Sequence, residues 1–134
     1  MEELQRLYED YLDLVAQLQR DRKPFEGAFG LGGGPAAHPC HQQFAKDVEQ
    51  AMARVPEEQR LQAIEYILQQ ALDHKGDPLV YWMFMAVHGA TLPYLKGLTS
   101  QQARDLQWWY EKAYPRSERM PCQKRVLSTL KKMR

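Results

Sequence analysis

Apolar residues recur every three or four positions along almost the whole chain, and the breaks in that rhythm mark where helices must end. Over residues 2–22, Leu4, Leu7, Tyr8, Tyr11, Leu14, Val15 and Leu18 draw one broad apolar stripe, the spacing of an amphipathic helix. Glu2 and Glu3 stand near its start and Arg20, Arg22 and Lys23 at its end, the order the helix dipole favours, and Pro24 stops it.

A second stripe begins near Pro39, which suits a first helical turn, and continues through Phe44, Val48, Ala51, Met52 and Val55. Pro56 ends it and can open a third helix, with Glu57 and Glu58 in the first turn and Leu61, Ile64, Leu68, Ala71 and Leu72 facing inward. His74, Lys75 and Gly76 close that helix. Asp77 and Pro78 then form an N-cap and first-turn pair for a fourth helix. Its body, LVYWMFMAV, is apolar on every side, which predicts a central position with other helices on most sides of it. Gly89 and Pro93 end it, and residues 92–95 suit one short helical turn.

Thr99 and Gln102 match a capping box for the next helix, whose inner face carries Ala103, Leu106, Tyr110 and Ala113 before Tyr114-Pro115 terminates it. A last helix opens near Ser117 or Pro121, with Cys122, Val126, Leu130 and Met133 as its apolar line. No run alternates with the period of two that a half-buried strand needs. The fold class expected is therefore all-α: a compact bundle of five or six antiparallel helices joined mostly by short connections, as one domain over residues 1–134. The alternative is a short superhelix of stacked helix pairs, HEAT-like in architecture, although no internal repeat supports it.

The long interruption is residues 24–41, PFEGAFGLGGGPAAHPCH, with a loop expected over 24–38 and the bundle over 39–133. That stretch holds five of the eight glycines, three of the eight prolines and two of the four histidines. Structureless loops of this length are uncommon inside a domain and usually serve a function or remain disordered. The run Gly30-Leu31-Gly32-Gly33-Gly34 invites a phosphate-loop reading. It fails both standard forms: no strand precedes it, and Pro35 stands where a Walker loop would continue toward Lys-Ser/Thr. A connector, or part of a partner surface at Gly32 and Gly33, fits better.

Composition adds limits. With 44% apolar and 26% charged residues in 134, the chain is ordinary for a globular protein. The longest uncharged apolar run, residues 79–87, is about half of the roughly 18 residues a spanning helix requires. The acidic, amphipathic start resembles neither a secretory signal nor a transit peptide, so a cytoplasmic location is expected. Cys40 and Cys122 form no CxxC pair and are expected to be free thiols. The overall charge of +1 hides an asymmetry: residues 116–134 hold seven basic side chains against Glu118, a local +6 beside −5 elsewhere.

Three groups carry candidate chemistry. His38, Cys40 and His41 are the densest set of metal-capable side chains, but zinc wants three or four converging ligands and no second pair completes them; His74, His88 and Cys122 are isolated. Cys40, in a first helical turn beside two imidazoles, is a candidate nucleophile with His41 as its base, although no orienting carboxylate adjoins it. The simplest reading leaves both histidines facing solvent and Cys40 as an inert contact. Trp108, Trp109 and Tyr110 are consecutive and span most of a helix circumference, so at least one Trp should be exposed as a partner contact or as the cover of a loop. The basic terminal helix, with Lys124, Arg125, Lys131, Lys132 and Arg134, could meet phosphates, but the acidic remainder makes a solvated face the simpler reading.

No motif of a hydrolase, zinc protease, EF-hand or iron cluster is present, and no cofactor is expected. The function expected is a helical interaction or adaptor module rather than an enzyme, meeting a protein partner or a second copy of itself through Trp108, Trp109, Gly32 and Gly33. The alternatives are a small enzyme or metal protein built on His38, Cys40 and His41, and a nucleic-acid binder using the terminal helix.

Overall fold

A computed structural model describes residues 1–20 and 38–133. All regular structure among them is helical. The α-helices are α1 (Glu2–Arg20), α2 (Cys40–Arg54), α3 (Arg60–Asp73), α4 (Pro78–Ala86), α5 (Leu92–Leu95), α6 (Ser100–Ala113) and α7 (Pro121–Lys132). Turns of 3-10 helix at Glu57–Gln59, Val87–Thr91 and Arg116–Glu118 lie between them. The chain divides into two compact units, Met1–Arg54 and Val55–Arg134. No described helix is long and apolar enough to cross a membrane.

In the first unit α1 packs along α2. Tyr8 and Tyr11, one turn apart on α1, both close on Phe44 of α2: Tyr8 edge-on with ring centroids 5.0 Å apart, Tyr11 stacked at 4.2 Å. Such ring pairs contribute about 0.5–1.5 kcal/mol each beyond the area they bury. The buried line is narrower than the sequence stripe. Leu4, Tyr8, Tyr11 and Val15 are buried, whereas Leu7 and Leu18 are half-buried and Leu14 is exposed. Four residues at alternating four- and three-residue steps make the narrow seam of a helix pair, the width one neighbouring helix can cover. At the far end of α2, the Arg54 guanidinium donates to both oxygens of Glu3. Both side chains are exposed, so this pair aligns the helices more than it stabilises them.

In the second unit α3 packs on α4 and α6 on α7. The turn Val87–Thr91 touches α3, α4, α5 and α7, which makes it the point where this unit's elements meet. Its residues Val87, His88, Ala90 and Thr91 are all buried. The chain signals expected from sequence act here. The Asp77 side chain accepts from the backbone N–H of Val80 with Pro78 in the first turn of α4. Thr99 Oγ1 accepts from the Gln102 N–H at 3.1 Å while Gln102 Oε1 accepts from the Thr99 N–H at 2.9 Å, a complete capping box.

One expectation changes. The helix expected from Pro56 onward opens as a tight 3-10 turn, and the α-helix proper begins at Arg60. The central α4 is covered on most sides, and the open side is the one periodicity left unspecified. Val80, Met83, Phe84 and Met85 are buried, but Trp82 is 55% exposed. A nine-residue helix with a uniformly apolar sequence still turns one side to solvent when its packed neighbours lie on the other, and periodicity cannot say which side when every position is apolar.

The α6 cap gives a direct test. Replacing Thr99 by Ala should lower stability by about 1 kcal/mol, while Thr99→Ser retains most of it. Urea unfolding of the two variants measures the difference, and equal midpoints would show that the cap contributes nothing.

Candidate functional site

The histidine and cysteine cluster opens α2, and each member meets a different environment. His38 is exposed and its Nδ1 accepts the backbone N–H of Cys40 at 3.1 Å. It thus caps an unsatisfied donor at the helix start, as the first turn requires. Cys40 is half-buried, with Sγ 3.8 Å from His41 Nδ1. His41 is buried, and its Nδ1 shares a 2.8 Å hydrogen bond with the Tyr11 hydroxyl of α1. The Tyr11 and His41 rings also meet edge-on at 5.8 Å.

The simplest sequence reading, with both histidines facing solvent, therefore holds for His38 and is corrected for His41. Position 41 lies one turn before Phe44 on the same side of α2, so the helix carries the imidazole into the seam against Tyr11. Burial pushes the Cys40 thiol above its ordinary range, with the backbone N–H at the helix start pulling weakly the other way. A nucleophilic thiol needs the opposite shift. Among the described residues, no three or more His, Cys, Asp or Glu side chains are grouped so as to hold a metal ion. Gly32 and Gly33 lie outside the described residues.

The aromatic triplet of α6 divides by direction. Tyr110 is buried, Trp109 is half-buried with its ring edge-on to Tyr114 at 6.3 Å, and Trp108 is 63% exposed. Lys112, one turn on, lays its ammonium 3.8 Å from the centre of the Trp108 ring. A cation over an exposed indole contributes about 0.5–1 kcal/mol and holds the ring in a defined position. Ala103, Leu106, Gln107 and Tyr110 form the buried side, so Trp108 points directly away from the unit's interior.

The second unit also encloses a polar cluster that sequence reasoning missed. His88 is fully buried, and its Nδ1 lies 2.8 Å from the Tyr110 hydroxyl and 3.2 Å from Gln123 Nε2. Gln123 Oε1 accepts the Met120 N–H at 3.0 Å, so its amide nitrogen donates to Met85 O at 2.8 Å. His88 Nδ1 thus sits within hydrogen-bond distance of the Tyr110 hydroxyl and Gln123 Nε2, while its Nε2 is buried with no partner among the described residues. The Cys122 thiol donates to the same Met85 carbonyl at 3.2 Å, and Tyr114, edge-on to the imidazole, donates to Leu68 O. Hydrogen bonds thus link α3, α4, the Val87–Thr91 turn, α6 and α7.

Every group in this cluster is held neutral. Burial holds the His88 pKa down to about 3 and pushes the hydroxyls of Tyr110 and Tyr114 and the Cys122 thiol up. With His88, Tyr110, Tyr114 and Gln123 all essentially inaccessible to solvent, the cluster orients packing and offers no access to a substrate. The only local signals were His88 abutting the apolar run 79–87 and Gln123 lying on the apolar side of the last helix.

No protein-family model matches the chain, and no curated protein or solved structure matches it either. Function has to be argued from these surfaces alone.

Two measurements follow. Because the His88 pKa is about 3 when folded and near 6.5 when unfolded, its contribution is complete above pH 6.5 and is lost as pH falls toward 3. Stability should drop by about 1.4 kcal/mol per pH unit through that window. His88→Leu should be weaker at neutral pH but lose this part of the acid slope; urea titrations at several pH values that show the same slope in both proteins would refute the assignment. For Cys40, alkylation rates against pH should rise with a midpoint above that of an ordinary thiol, and a midpoint below it would restore the nucleophile reading.

Proposed function

We propose that the chain is a non-enzymatic helical interaction module that meets a protein partner through the outward side of α6. The observation that carries this reading is Trp108: a large indole, 63% exposed on the side of α6 opposite its buried residues and steadied by Lys112. Exposed Trp residues that are already positioned are the kind of side chain that dominates binding energy, since little ordering remains to be done when a partner covers them. Gln101, Arg104 and Asp105 are exposed on the same helix and would form a polar rim around the indole.

We take the partner to be another protein or a second copy of this chain, and the cytoplasm to be its compartment, in keeping with two free thiols. We also take successive helices to run antiparallel as a bundle; the support is the brevity of the connections, such as residues 74–77 between α3 and α4. A thiol enzyme or metal protein built on His38, Cys40 and His41 draws less support, because His38 is engaged by the helix start and the Cys40 thiol is shifted away from reactivity.

The test is comparative pull-down from native lysate with the wild-type chain and Trp108→Ala, proteins being identified by mass spectrometry. Trp108→Ala should lower stability by no more than about 1 kcal/mol, the worth of the Lys112 contact it removes, and lose the specific partner. Recovery of the same proteins by both, with circular dichroism unchanged, would remove the α6 surface from the proposal. Light scattering across concentrations identifies the self-association case, which Trp108→Ala should abolish equally.

A further inference from the structure

The outward side of α7 is a strongly basic surface of the second unit. Cys122, Gln123, Val126, Leu127 and Leu130 are buried, and every charged residue of the helix lies on the other side: Lys124, Arg125, Lys131 and Lys132, with Ser128 at the centre. The helix carries no carboxylate. A shallow groove of about 390 Å³ runs along one flank, lined by Leu92, Pro93, Lys96, Arg125, Ser128, Thr129 and Lys132. A second, of about 450 Å³, runs along the other flank between Arg119, Lys124, Leu127, Ser128, Lys131 and Lys132. Ser128 and Lys132 border both, so α7 stands as a ridge between two basic channels. Among the described residues the only ion pair reaching these cations is Lys131 with Glu111 at 3.8 Å, an exposed contact of little strength.

We propose that this ridge binds the phosphate backbones of double-stranded DNA, with α7 in the major groove and one strand of phosphates along each channel. This goes beyond the protein-partner reading and uses a different helix. Lys124 to Lys132 spans about 12 Å at 1.5 Å per residue. Over that length duplex DNA presents about seven phosphates, at one per 1.7 Å of axis. Four cations of the two channels, Lys96, Lys124, Arg125 and Lys132, face that charge, while the Arg119 guanidinium donates to Tyr114 O and Glu111 O and Lys131 pairs with Glu111. Ser128 adds a hydroxyl donor of the sort that fixes register on a backbone.

The surface also selects against other polyanions. The B-form major groove, about 12 Å wide, admits a helix about 10–12 Å across, whereas the deep major groove of duplex RNA is too narrow. No aromatic side chain lines either channel, so the stacking platform that single strands require is missing. The outer side of α7 has no large apolar residue to enter a lipid interface.

Fluorescence anisotropy of the full chain with a labelled mixed-sequence DNA duplex tests the proposal. Affinity should fall by roughly two orders of magnitude between about 50 and about 200 mM salt, the slope of about four phosphate contacts. The triple variant K124A/R125A/K132A, at exposed positions that leave the helix intact by circular dichroism, should bind at least about tenfold more weakly and lose about three from that slope. The variant K124R/K132R should bind as wild type. Absence of binding at about 50 mM salt, or a triple variant with unchanged affinity and slope, overturns the proposal. So does tighter binding to duplex RNA, single-stranded DNA, phosphatidylserine vesicles or poly-glutamate.

Discussion

The second unit is organised around a neutral imidazole buried away from water. His88 lies fully buried in a tight turn, with Nδ1 held by two side chains and Nε2 without a partner among the described residues. Its Nδ1 meets Tyr110 from α6 and Gln123 from α7, while Gln123 is itself held by Met120 and Met85. Moving any one of these helices by a residue would break several of these bonds at once, with the loss concentrated in a low-dielectric interior. The apolar surfaces of α3, α4, α6 and α7 could pack in several registers; this network selects one.

With the inner sides so engaged, the outer sides of α6 and α7 are left to differ. On α6 a single indole under an ammonium stands among polar side chains. On α7 the outer side is uniformly cationic between two channels. Both are surfaces of rigid helices rather than of loops, and rigid elements hold binding groups with less ordering cost on association. The chemistry they offer is contact, by stacking, hydrogen bonding and charge.

The first unit shows how burial redirects a promising cluster. His38, Cys40 and His41 adjoin in sequence, yet the start of α2 sends one imidazole to a backbone donor and the other into the seam beside Tyr11. Cys40 is left half-buried with a less acidic thiol. Adjacency along a chain is no guide to convergence once a helix begins, because neighbouring positions diverge by about 100°.

The all-helical class, the helix starts at Asp77 and Thr99 and the inner positions Tyr8, Phe44, Ile64, Leu68, Tyr110 and Val126 were legible in the sequence, because caps and periodicity are written within a few residues of where they act. The exposure of a Trp among Trp108, Trp109 and Tyr110 followed from helical geometry alone. Which side of the apolar α4 would meet solvent, that His41 would be buried, and that His88, Tyr110, Tyr114, Cys122 and Gln123 would form one network were decided only by tertiary structure. Those residues lie up to 35 positions apart, as His88 and Gln123 do, and their partners come from separate helices. Local spacing sets which side of a helix is apolar; only packing decides what a buried polar atom on that side will meet.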